Sequence, residues 1–230
     1  MAPTDRACDR RSTVPPRRTP RSLACLFALG ALTTLGSGCK AKMPTITEPF
    51  ADSFDRAELG PGWLDTSGQA RIEGGKLHVT QGYNKPVWLQ KRLPANAVIE
   101  LDVMSKSPSG DIKIELYGDG SSFDPDRNRY DPTGYVFVFG GWGNTESIIG
   151  RLGEHDEGVM SRRREPPVVP GQTYHWTISR KDGVIEWMVD GKPFLNYRDP
   201  APLTGDAHGF LAFTNWESQV FFDNLQIRPL

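Results

Sequence analysis

The residues with most chemical potential fall between Trp142 and His155: Trp142, Asn144, Arg151, Glu154 and His155 lie within one stretch of fourteen residues. An indole covers the C–H face of a sugar ring, while amide, guanidinium and carboxylate groups fix its hydroxyls. Gly140 and Gly141, just before Trp142, allow backbone to approach a bound molecule closely. An imidazole titrates near neutral pH, so His155, or Glu154 beside it, is the candidate proton acceptor. Two other readings stay open: Trp142 plugging the edge of a sheet sandwich, and Arg151 pairing with Glu154.

The elements that must position these groups are strands. In 97–103, Ile99, Leu101 and Val103 alternate with Glu100 and Asp102; in 111–117, Ile112, Ile114 and Leu116 alternate with Lys113, Glu115 and Tyr117. The polar sides of these two strands are expected to share a binding face, making Glu100, Asp102, Glu115 and Tyr117 further ligand candidates, unless that face only meets water. Tyr174, Trp176 and Ile178, then Ile185, Trp187 and Val189, repeat the alternation around Asp182-Gly183, and Asp190-Gly191 follows. Asp-Gly between such runs signals two-residue turns, because both turn positions need positive φ. A three-stranded meander is expected over 173–198, with further strands at 135–139, 209–213 and 219–227. Many short strands and no long amphipathic helix predict an all-β domain over 49–230, a sandwich of two antiparallel sheets or a jelly roll.

At both ends the chain resembles a known group. Phe50-Ala51-Asp52-Ser53-Phe54-Asp55 with Leu59-Gly60 and Trp63 is similar to the opening strand of bacterial concanavalin A-like (laminin G-like) sandwich domains. Trp187-Met188-Val189-Asp190-Gly191, His208-Gly209-Phe210 and Phe222-Asp223-Asn224-Leu225 resemble their closing strands. The similarity is nearest to 3-keto-disaccharide hydrolase-like domains. It implies a jelly roll whose concave face holds a carbohydrate or glycoconjugate, and a structural calcium where the first and last strands meet, at Asp52 and Asp223. It also implies a second possibility, hydrolysis or elimination of 3-keto-glycosides. The Glu-x-Asp-x-x-Glu strand of the related glucanases is matched at Glu100 and Asp102, but Ser105 occupies the last position, so the two-carboxylate mechanism is disfavoured. A protein–protein module is the third reading. A looser calcium candidate is the acidic loop of Asp119, Asp124, Asp126, Asn128 and Asp131.

Residues 1–38 read as an export signal: arginines at 6, 10, 11, 17, 18 and 21, an apolar run from Leu23 to Leu35, and small residues ahead of Cys39. That boundary resembles the lipobox of bacterial lipoproteins. The expectation is lipidation of Cys39, a tether at 39–48 and, with Lys40 following, the outer membrane. All three cysteines lie in this region, so the domain beyond it carries no disulfide. The chain has 27 Lys and Arg against 28 Asp and Glu, and six of the arginines belong to the leader. What remains is mildly acidic and a poor partner for nucleic acid.

Overall fold

The computed structural model describes residues 43–230. The expected signal segment and Cys39 lie outside the described residues. No helix among the described residues is long and apolar enough to cross a membrane.

Two antiparallel sheets stack face to face. The eight-stranded sheet runs in the order Lys192–Arg198, Val184–Val189, Thr173–Lys181, Ala97–Ser105, Gln219–Pro229, Lys76–Thr80, Ala70–Glu73, and Phe50–Asp52 pairs with the far half of Gln219–Pro229. The seven-stranded sheet runs Val159–Arg163, Glu146–Arg151, Tyr135–Gly140, Ile112–Gly118, Phe210–Thr214, Val87–Leu89, Trp63–Asp65. The expected meander is present, and both Asp-Gly turns hold positive φ at each position: 49° and 79° at Asp182-Gly183, 50° and 71° at Asp190-Gly191. Those angles match the twist of the flanking strands, which is why two residues suffice to reverse the chain.

The core lies between the sheets and is strongly aromatic. Trp176 and Trp187 meet at 4.7 Å, with Phe137, Phe139 and Phe194 packed around them. Towards the other end Phe213 stacks between Trp63 and Phe222, at 5.2 and 4.2 Å. A phenyl ring as fully buried as those of Phe137, Phe139, Phe213 and Phe222 contributes roughly 1.5–3 kcal/mol.

The two polar strand sides expected to share a face do not. Ala97–Ser105 is central in the eight-stranded sheet and Ile112–Gly118 in the seven-stranded one. Each strand turns its aliphatic residues to the common core, so Glu100 and Asp102 point away from Lys113 and Glu115 on the far side of the molecule. Tyr117 departs from its strand's alternation as well. Its φ is 61°, and the ring turns into the core under the Arg180 guanidinium, 3.9 Å from the ring centre. Burial pushes the Tyr117 phenol up to about 12, and its hydroxyl donates to the Pro94 carbonyl.

Candidate functional site

The outer face of the seven-stranded sheet is roofed by loops and holds a cleft of about 470 Å3. Its floor is the strand Ile112–Gly118. Lys113 extends from that floor, its Nζ 2.7 Å from Glu154 Oε2 and 2.7 Å from Asn84 Oδ1. Asn84 in turn donates from Nδ2 to Glu154 Oε1 at 3.4 Å. Buried opposite charges in contact, with an amide bridging them, satisfy one another where water is excluded. Asp111 joins the lining from just before the same strand; burial raises its carboxyl above the usual range, and its Oδ2 accepts the Trp216 N–H at 2.5 Å.

Two indoles line the cleft and remain exposed, Trp142 at 41% and Trp216 at 49%. Each is braced by a second ring. His155 stands edge-on to Trp142 at 5.6 Å, and Tyr83 edge-on to Trp216 at 5.1 Å. An adjoining cavity of about 350 Å3, lined by Tyr83, Asn128, Tyr130 and Leu152, shares Asn84, Glu154, His155 and Trp216 with the first, so the two form one extended groove. Tyr83, Asn84, Asp111, Asn128, Trp142 and Leu152 all carry positive φ. Non-glycine residues held there are strained, and such strain concentrates at ligand sites.

Of the residues singled out in the sequence, the groove brings together Trp142, Glu154 and His155. His155 Nε2 lies 3.7 Å from Glu154 Oε1. Others fall elsewhere. Asn144 is spent on backbone: it donates to Val168 O and Pro108 O and accepts from Val168 N, pinning segment 166–169. Gly140 serves that same packing, since a Cβ there would strike Asn144 Oδ1 and Val168. Arg151 pairs with Asp199 at 2.7 Å, not with Glu154 or a ligand, and donates to Ala201 O. Glu115 is fully buried, and its two oxygens accept from Ser122 Oγ, Thr133 N, Thr133 Oγ1, Gly134 N and Tyr130 OH. Burial pushes its carboxyl up against the pull of those donors, and the side chain anchors the loop that roofs the groove.

On the opposite sheet Glu100 pairs with Arg228 at 2.8 Å, and Asp102 accepts from Asn224 and meets His175 Nδ1, both at 2.8 Å. Both carboxylates lie away from the groove. The carboxylates expected to hold calcium are engaged by protein groups. Asp52 accepts from Arg56, Trp63 Nε1 and Phe54 N; burial pushes its carboxyl up, but these bonds outweigh that and hold it below its usual range. Asp223 forms an ion pair with Lys76. In the acidic loop Asp124 and Asp131 pair with Arg127 and Arg129. Among the described residues no three His, Cys, Asp or Glu side chains converge as a metal site.

Comparison with solved structures decides the architecture. The chain is similar to the carbohydrate binding module CBM66 from Bacillus subtilis, with 14% identity over 73% of this chain and 96% of that one and a TM-score of 0.55. It is similar to the Emp47p carbohydrate recognition domain, with 15% identity over 83% and 99% and a TM-score of 0.59. It is also similar to the Bacillus licheniformis beta-glucanase, with 10% identity over 80% and 99% and a TM-score of 0.54. The fold is a concanavalin A-like jelly roll. Identities this low establish that architecture and no activity. Residues 122–226 match the profile of the family described as farnesoic acid 0-methyl transferase, a stretch that begins in the roofing loop and ends in the last strand. No curated protein matches the sequence.

The polar floor and second indole of the groove escape a reading along the chain. Asn84, Lys113 and Trp216 come from three segments far apart in sequence, and they meet in the cleft with Trp142 because strands 112–118 and 210–214 pair side by side in one sheet. Trp216, between Asn215 and Glu217 in a turn, was the one visible signal, an indole where a core residue has no reason to be.

Proposed function

We propose that this jelly roll binds a carbohydrate or glycoconjugate in the groove on the outer face of its seven-stranded sheet. The supporting observation is the pair of exposed, braced indoles, Trp142 and Trp216, lining a cleft whose floor is polar and charge-balanced. Sugars need that combination of flat apolar walls and fixed hydrogen-bonding groups. Trp142 and Trp216 stack on sugar rings, while Asn84, Asp111 and His155 engage hydroxyls. Relatives in fold named for carbohydrate binding support the same reading. A glycan-array screen of the compact unit Ala41–Leu230, run beside Trp142→Ala and Trp216→Ala, tests it. Retention that both variants lose supports the reading, and silence across the array sinks it.

A sugar-active enzyme is the second reading, favoured by His155 at the cleft beside Glu154. A 3-keto group acidifies the neighbouring C–H, so a single base starts elimination without a second carboxylate. Turnover of 3-keto-glucosides, abolished in His155→Ala with binding retained, would establish it. Absence of turnover by the unaltered protein leaves the binding reading alone.

The leader completes the proposal: export, cleavage ahead of Cys39 and lipid anchoring in the cell envelope, at the outer membrane. Mass spectrometry of the membrane-extracted protein checks this. A diacylglyceryl-modified Cys39 that disappears in Cys39→Ser is expected, and an unmodified, soluble product would contradict it.

A further inference from the structure

A separate cavity of about 230 Å3 shares no lining residue with the groove. It opens between segments 92–95 and 203–208, and its lining includes Arg92, Arg180, Asp206 and the His208 imidazole. The unusual member is Arg180. Along Thr173–Lys181 the inward positions are Tyr174, Trp176, Ile178 and then Arg180, so a guanidinium occupies a core register and is only 4% exposed. It lies 3.9 Å from the Tyr117 ring centre and 5.6 Å from that of Tyr135, and donates from Nη2 to Leu203 O at 2.6 Å. Its Nε has no acceptor. No carboxylate among the described residues forms an ion pair with it.

Buried charges in folded proteins are paired with opposite charge, because desolvating one costs more than the two tyrosine rings, the Tyr117 phenol and one carbonyl return here. Arg92, its side chain 12% exposed, is fixed alongside by bonds to Asp206 O at 3.0 Å and Gly205 O at 2.9 Å. Gly209 makes room for it, since a Cβ there would strike the guanidinium. His208 donates Nδ1–H to Thr133 O at 3.0 Å, which leaves Nε2 as the ring's other polar atom. Asp206 puts one carboxylate on the rim, its Oδ1 3.9 Å from Arg92 Nη2, so the lining carries two guanidinium charges against one.

We propose that this cavity binds a small oxyanion, a carboxylate, phosphate or sulfate group, between Arg180 and Arg92. Guanidinium forks match the oxygens of such groups. The volume lies below the usual range for drug-sized ligands, which limits the occupant to a free ion or one charged sugar residue. The site is independent of the carbohydrate reading of the groove.

The test is thermal melting of the full chain in sulfate, inorganic phosphate, sodium glucuronate and, at matched ionic strength, sodium chloride. A ligand that binds only the folded state raises Tm saturably. The expected result is a saturable rise with at least one oxyanion and none with chloride, weakened at least tenfold in Arg92→Gln and unchanged in Trp142→Ala. A response confined to inorganic ions identifies a free anion, and one confined to glucuronate identifies an acidic sugar; either supports the site. Arg180→Met, which removes the unpaired charge, is expected to fold and to lose the response. A rise no greater than that in chloride, or one undiminished in Arg92→Gln, would overturn the proposal.

Discussion

Lys113 Nζ and Glu154 Oε2 lie 2.7 Å apart under the groove, with their side chains only 4% and 8% exposed. One residue comes from the start of a central strand and the other from the loop after Glu146–Arg151, so the pair fastens the roof of the groove to its floor. Neither charge has water enough to stand alone.

Removing one partner should therefore cost far more than removing both. Lys113→Met leaves Glu154 buried and uncompensated and is expected to lose about 3–5 kcal/mol of stability, while Lys113→Met with Glu154→Leu recovers most of it. Urea unfolding of the two single variants and the double variant measures the coupling. Additive losses would show that the pair is not coupled as described.

A second ionic contact ties stability to pH. Burial pushes the Asp199 carboxyl up, but bonds from Tyr135 OH at 2.6 Å, Arg151 Nε at 2.7 Å and Ala201 N at 2.9 Å outweigh it and hold the group below its usual range. A carboxyl depressed in the folded state stabilises above its unfolded pKa, about 3.9, and that stability is lost as pH falls through the folded value. Asp199→Asn should be less stable than the parent by about 2–3 kcal/mol at pH 7. The difference should shrink as pH falls below about 4. Unfolding free energies across that range check the sign, and a gap that widens in acid would refute it.

The Asp182-Gly183 turn gives a prediction about shape alone. Gly183 has φ of +79°, and a Cβ there would come within 2.7 Å of Pro202 Cγ and 2.9 Å of the Asp199 carbonyl. Gly183→Ala is expected to destabilise by about 1–3 kcal/mol, from strain and the displaced 199–202 segment together. Asp182→Asn, which suits the same left-handed position, should be near neutral. Equal effects of the two would mean that the turn geometry does not matter.

The sandwich was readable because its signals are local. Alternation in Tyr174, Trp176 and Ile178, and Asp-Gly between strands, depends on neighbours in sequence, and the strands formed where those patterns lie. The site was only half readable. Trp142, Glu154 and His155 form a local cluster and share the groove, whereas Asn144 and Arg151 belong to the same cluster but serve Val168 and Asp199. Nothing local separates the two sets, because the partners are tens of residues away. Glu115 teaches the same point from another side. Alternation placed it on the outer face correctly, but the loop 119–134 then folded over it and used all of its acceptors. Alternation also cannot say which strands share a sheet, so the expectation of one common face for Glu100, Asp102 and Glu115 does not hold.

The most direct test of the central claim is NMR of the six tryptophan indole N–H signals during titration with a glycan retained on the array. Trp142 and Trp216 are exposed at the groove, whereas Trp63, Trp88, Trp176 and Trp187 are buried. Saturable shifts of the Trp142 and Trp216 signals with a common Kd are expected, with little change in the other four. Saturable binding that leaves both of those signals unmoved would contradict the claim.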